Sequence, residues 1–454
     1  MPDPVAACYA RQMAQAREPA PPRPPARTAR GQPGGSSDAE TRRNLPFNFR
    51  LLLFHGLFGQ TGFRLVNAPT FLPDYLSLLT GSNAAVGVAR ALQSLGLFLS
   101  PLFAAAVVEG RTHVRGFTLL FGLLQRSQIL LLALTALLVP AEYAIVVIWV
   151  VIGVWGFANG LQRVAFNVLM AKTIPPEVRG RLLGLRNTAS GVTIFFVSIG
   201  GGLLVQQYGF PRGYGLTFLL GFALACVGLI GIAALRETAH AEALENLPFA
   251  TRIGRVREML RNEPNFRRFV SARLLATAAR GAVPFYIILV REELCLTGER
   301  LAALTIMFVM AQSFSTLGWG LLADRHGFRG VFLGALATWL AGVGLLITAP
   351  SLEGIYLVFG LVGAGMGGFM LASQQLVLEF GTTHELPTRI AGTNALSELV
   401  GVVGFLVAGL LADQIPLAWL FGLAAALQGL AVLQILAVKE PRKRPAESAP
   451  WEEP

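Results

Sequence analysis

The feature that most constrains this chain is a recurring block of about twenty apolar residues, closed at each end by charge, proline or a glycine cluster. The hydrocarbon core of a bilayer is about 30 Å thick and takes about 20 helical residues to cross. A helix also satisfies its own backbone hydrogen bonds, which lipid cannot do for it. Twelve such blocks are legible, at 47–73, 84–108, 116–139, 143–170, 182–206, 213–235, 266–290, 300–323, 329–349, 354–380, 390–412 and 416–438. Composition agrees: 54% of residues are hydrophobic and 14% charged, where a soluble domain carries about 25% charged residues. An ordinary soluble domain is excluded, and so are collagen-like and disordered chains, because the apolar residues come in long blocks. The expected fold class is an all-α membrane protein with twelve transmembrane helices.

The formal charge of +11 would suggest nucleic acid on a soluble chain, but most of it sits at the ends and between apolar blocks. Placement by a bilayer explains it better, and no nucleic-acid partner is expected. One set of connections carries Arg111 and Arg115, then Lys172, Arg179 and Arg181, then 236–268, Arg325, Arg329 and Arg389. The opposite set carries Arg212, Arg291 and Arg300 beside Asp74, Glu142, Glu292, Glu293, Glu299, Glu353 and Asp413. Both tails belong with the basic set, so both termini are expected in the cytoplasm of a plasma (inner) membrane protein. Residues 1–46, with prolines from Pro19 to Pro25 and no apolar core for a signal peptide, read as a disordered cytoplasmic tail. Residues 439–454 read as a second cytoplasmic tail. Cys8, Cys226 and Cys295 have neither paired nor metal-ligand spacing. No H-E-x-x-H, P-loop or G-x-S-x-G motif is present, so no enzyme, metal or cofactor is expected.

The longest polar connection, 236–265, divides the apolar region into 47–235 and 266–438, six blocks each. The two parts share local sequence. EVRGRLLG at 177–184 lies against ELPTRIAG at 385–392, and VVEGRTHVR at 107–115 against LLADRHGFR at 321–329. The separation of Arg181 from Arg389 differs by a few residues from that of Arg111 from Arg325, which supports a duplicated, pseudo-symmetric pair of six-helix bundles.

The segment GLLADRHGFR at 320–329 resembles the G-x-x-x-D-R-x-G-x-[RK] loop motif of the major facilitator superfamily, with Gly320, Asp324, Arg325, Gly327 and Arg329 in place. The resemblance implies two bundles around a central cavity lined by helices 1, 4, 7 and 10, and alternating access by rocking of the bundles. It implies a cytoplasmic latch in which Asp324 meets Arg179 or Arg181. The N-terminal copy departs from the motif, with Gly110 in the aspartate slot, Glu109 one place earlier and His113 for the second glycine; Arg111 or Arg115 would still reach Glu385. Drug/proton antiporters of the superfamily carry G-P-x-x-G-G in helix five. Here FVSIGG at 196–201 has Phe196 and Val197 at the first two positions, which weakens a multidrug reading.

Charges inside a bilayer are costly and face a cavity or a partner. Gln60, Arg64 and Asn67 share one face of the first block, and Asn159, Arg163 and Asn167 one face of the fourth, with Gln162 beside them. Arg273, Thr277 and Arg280 share a face of the seventh, one turn before Pro284. Gln60, Arg64, Asn67, Asn159, Arg163, Arg280 and Gln374 are the candidate substrate-binding residues; snorkelling to headgroups is the alternative for the arginines. Arg126 and Arg90 read as packing or snorkelling residues, and His55 lies near the helix entry. Glu398 and Glu379 are candidates to carry a coupling proton or to pair with an arginine. GAGMGG at 363–368 fits the dinucleotide pattern formally but lies inside an apolar helix, where small residues serve packing. The excess of guanidinium favours an anionic or zwitterionic solute. The expected function is therefore a monomeric secondary active transporter of a small polar or anionic solute, coupled to protons. A drug or metabolite exporter and a transport-inactive scaffold or sensor are the alternatives.

Overall fold

The protein is described by a computed structural model over residues 34–108, 111–238, 249–294, 296–348, 351–381 and 385–440. Glu109, Gly110, Cys8, Cys295 and most of the two expected tails lie outside the described residues. Among the described residues ten helices are long and apolar enough to cross a membrane.

The first expected block is where structure and sequence reading differ most. Helix α1 (Gly34–His55) begins well before residue 47 and runs into a π-helical turn (Gly56–Gln60) and then α2 (Thr61–Asn67). The chain breaks at 68–70 and resumes as α3 (Phe71–Thr80). Ala68 precedes Pro69, whose ring disfavours helical ψ in the residue before it; Ala68 accordingly sits at φ −52, ψ 147. Pro73 falls in the first turn of α3, where its missing N–H costs nothing.

The next elements, α4 (Asn83–Val108), α5 (Arg115–Leu138), α6 (Ala141–Thr173), α7 (Pro176–Tyr208) and α8 (Arg212–Ala233), follow their expected blocks with extended ends. The central connection contains an additional helix, α9 (Phe249–Asn262). It is amphipathic, with Arg255, Arg257 and Arg261 exposed and Val256 half-buried against Gly392 of the later helix at 386–412. A Cβ at Gly392 would lie 2.3 Å from a Val256 methyl, so a glycine there admits the contact.

The seventh block divides at its proline: α10 (Pro264–Ala279), a 3-10 segment (Arg280–Phe285) and α11 (Tyr286–Glu293). Pro284 has no N–H for the Arg280 carbonyl and its ring crowds that group, which is why the helix tightens there. The eighth and ninth blocks join as α12 (Gly298–Thr348), whose two arms meet at Gly327 with φ 77 and ψ 166. The remaining elements are α13 (Leu352–Leu376) with a 3-10 turn (Val377–Glu379), α14 (Leu386–Ala412) and α15 (Leu417–Leu436).

Small residues set the packing. In GAGMGG, a Cβ on Gly363 would come within 2.2 Å of the Phe308 carbonyl, and Gly365 and Gly368 lie against Trp339 and Ala335 on the other arm of α12. The segment is a helix-packing face, with no strand before it. Between the two sets of helices, α1–α8 and α10–α15, α4 packs on α14 and α7 on α12. Gly87 meets Gly409 and Gly202 meets Gly298 at backbone distance.

Candidate functional site

Polar residues of the two sets of helices meet at particular contacts between them. Arg64 on α2 donates from Nη1 to the Ser313 hydroxyl on α12 at 2.5 Å, so it points across the interface between the sets. Gln60 donates to Asn187 Oδ1 at 3.0 Å and leaves its own Oε1 buried without a partner. Asn67 accepts from Gln93 Nε2 at 2.9 Å, and its carbonyl faces Arg90. Asn159 on α6 accepts from Gln125 at 2.8 Å. Arg163, one turn later, is exposed, and it lies within electrostatic reach of Arg273 on α10 of the other set.

Arg273 is buried, donating to Asn394 Oδ1 at 2.7 Å and to the Ser373 carbonyl at 3.4 Å. Its field also includes Glu398 and Arg280. Arg280 stands over the Phe405 ring at 5.7 Å with Nε buried and unpartnered, and Glu398 Oε2 is likewise buried without a hydrogen bond. Gln374 is exposed on α13 next to Ser373, and Glu379 lies in the 3-10 turn that follows. Guanidinium outnumbers carboxylate in this group. Guanidinium groups of this kind suit a bound anion that can accept two parallel N–H bonds.

A second set of buried cations lies among α1–α8. Arg126 donates to the Ala225 and Gly122 carbonyls at 2.6 and 2.8 Å and stacks over Phe63. Arg186 on α7, which sequence reasoning passed over, is buried against His55 and the Phe166 ring. Its signal was weak, because it follows the basic entry to its helix and reads as one more interfacial arginine.

The two ends of the molecule differ. At the end away from the basic loops, Asp74 on α3 is fully buried and accepts from Arg291 Nε and Nη2, the latter at 2.6 Å, and from the Tyr214 hydroxyl. Thr305 donates to Thr70 at 2.7 Å, and Gln206 accepts from the Gly298 N–H at 2.9 Å. Asp413, just past α14, accepts from the Ser82 hydroxyl and from the N–H groups of Asn83 and Ala84 at 2.7, 2.6 and 3.0 Å. One set thereby caps a helix N-terminus of the other. In the sequence Asp74, Arg291 and Asp413 appear only as loop charges; their pairing joins residues more than two hundred positions apart.

At the basic end the latch contacts implied by the motif are not formed. Asp324 and Arg325 are exposed, and among the described residues Asp324 makes no hydrogen bond or ion pair. Arg179 instead donates to the Ile174 and Ala171 carbonyls, both at 2.8 Å, closing the C-terminus of α6. Arg181 is exposed. Arg329 donates to the Ile435 and Leu436 carbonyls and closes α15 in the same way. Gly320 is open to space, and Gly327 makes the turn between the arms of α12. Glu385 meets Arg389, which is also gripped by Glu263 at the end of α9; Arg115 turns to the Leu235 carbonyl and Arg111 to the Phe117 ring.

Residues 268–454 match the family model described as Major Facilitator Superfamily. Among solved structures, a mutant form of the nucleoside transporter NupG superposes with a TM-score of 0.70 at 13% identity, covering 87% of this chain and 100% of that one. A bacterial homologue of the iron transporter ferroportin in an inward-facing state gives 0.65 at 15% identity, covering 88% and 100%. A D-xylose-proton symporter gives 0.64 at 14% identity, covering 89% and 99%. No curated protein matches the sequence.

Proposed function

From the premise that this chain is a membrane protein with the major facilitator fold, we propose that it is a secondary transporter moving a small polar or anionic solute by alternating access. The reading is of a transporter and not of an enzyme. In it, the chain crosses the bilayer twelve times as two six-helix bundles, 47–235 and 266–438, joined by the cytoplasmic segment 236–265. The interrupted stretch α1–α3 is the first crossing, and the two arms of α12 are the eighth and ninth. The basic end and both termini face the cytoplasm of a plasma (inner) membrane.

The observation that carries the reading is the approach of Arg163 from one set to Arg273 and Arg280 of the other, beside Glu398, while Arg64 separately reaches Ser313 across the sets. An anion bound there would bridge the two bundles and draw them together. Gln60, Asn67, Asn159 and Gln374 would supply hydrogen bonds around it. The bonds at the far end and the unformed Asp324 latch fit a state open to the cytoplasm. Glu398, with an unpartnered buried oxygen beside Arg273, is the first candidate for a coupling proton and Glu379 the second.

Reconstitution into proteoliposomes with organic anions, cationic drugs and sugars, with and without a pH gradient, tests this. Saturable movement of an anion that responds to the gradient is expected. Arg64→Ala is expected to abolish it while elution and unfolding midpoint stay unchanged, and Glu398→Gln to keep exchange while losing the response to pH. Movement of cations or sugars alone, or full activity in Arg64→Ala, would contradict it.

A further inference from the structure

We propose that the N-terminal set of helices holds a buried site for a single-atom anion of chloride size, bound by Arg126 and His55 at the π-helical turn Gly56–Gln60. Arg126, halfway along α5, is 1% exposed. Its Nε and Nη1 are satisfied by carbonyls, but Nη2 is buried without a hydrogen-bond partner. This free donor and His55 Nε2 approach the same space. They lie 3.5 and 3.2 Å from the point where a Cβ on Gly59 would stand.

The protonation of the ring follows from its other nitrogen. Arg186 Nη2 lies 3.1 Å from His55 Nδ1, and a guanidinium can only donate, so Nδ1 accepts and the neutral ring carries its proton on Nε2. Both groups beside Gly59 are thus donors. Arg186 is itself 7% exposed, with Nε buried and unpartnered. Neither Arg126 nor Arg186 is bonded to a carboxylate among the described residues.

Two buried guanidinium charges facing one imidazole need a compensating anion, because an unpaired charge in a low-dielectric interior is heavily penalised. The Phe63 and Phe166 rings and the carbonyl dipoles compensate in part. The π-helical turn inserts an extra residue into the helix, a distortion frequent at functional sites, and Gly59 within it faces Arg126. Helix α8 closes over the turn: a Cβ on Gly228 would be 2.3 Å from the Gly59 nitrogen. Two N–H donors converging on one point beside Gly59 suit a single-atom anion. Cys226 also stands near Arg126, so its sulfur is the competing partner for that guanidinium.

The test uses the purified full-length chain with bromide as probe. Thermal unfolding is followed while sodium bromide replaces sodium gluconate at constant ionic strength. A saturable rise in midpoint is expected, retained in Cys226→Ser and lost in Gly59→Ala, whose added methyl occupies the cradle. No saturable rise, an unchanged rise in Gly59→Ala, or its loss in Cys226→Ser would overturn the proposal. Should Gly59→Ala not fold, anomalous scattering from bromide-grown wild-type crystals decides. A peak within hydrogen-bonding distance of Arg126 Nη2 and His55 Nε2 supports the site, and an empty position overturns it.

Discussion

Single residues carry geometry that their types alone only suggest. Gly327 occupies φ 77, where an L side chain is strained, and a Cβ there would approach Glu440 Oε1 to 2.6 Å. Gly327→Ala is therefore expected to cost about 1–3 kcal/mol, seen as a lower unfolding midpoint. His113 stands at the matching place in the other motif segment, in the non-helical stretch 111–114 just before α5. Asp413 shows a different dependence on context. Burial acts to raise its pKa, but the bonds from Ser82, Ala84 and Asn83 outweigh it and hold the carboxyl below its ordinary value. A group whose folded pKa is depressed contributes its stability above the unfolded pKa and loses it as pH falls through the folded one. Between about pH 5 and pH 3 the wild-type unfolding midpoint should fall more steeply than that of Asp413→Asn. Parallel curves would refute that assignment.

At the level of elements, the contacts between α3, α8 and α11 form a closure of one end of the molecule. Asp74 cannot leave Arg291 without stranding a fully buried carboxylate, and breaking such a pair by removing one partner is strongly destabilising to the closed arrangement. Asp74→Asn keeps the shape and removes the charge. It is expected to shift the population towards opening at that end. A cysteine introduced by Thr70→Cys, at a site buried in this structure, should then react faster with a membrane-impermeant thiol reagent than it does beside Asp74. Equal reaction rates would show that the end is closed by other contacts. Helix α9 illustrates what pattern reading loses at this scale. Its arginines made the segment look like a solvated connection, and its short apolar face counts only because Gly392 lets Val256 dock and because Glu263 holds Arg389.

For the whole molecule, the apolar blocks were legible because each reports a local cost that adds up residue by residue: about twenty side chains must suit hydrocarbon at once. Blocks four, five, six, eleven and twelve accordingly agree with α6, α7, α8, α14 and α15. The first block was misjudged where Pro69 breaks it, since hydropathy averages over a proline that backbone sterics cannot ignore. Among candidate site residues, Arg64 and Arg163 stood out because a charge within an apolar run is locally anomalous. Arg186 did not, because it follows Arg179 and Arg181, and Asp74 did not, because it falls just past the end of the first apolar block and reads as a loop charge. The sequence by itself determined the membrane-embedded helical class and the surplus of arginine inside it, both properties of composition and short-range spacing. Which arginine meets Ser313, which carboxylate locks one end and which cations are left unpaired were decided by tertiary structure alone, because electrostatics acts through ångströms in space and not through positions along the chain.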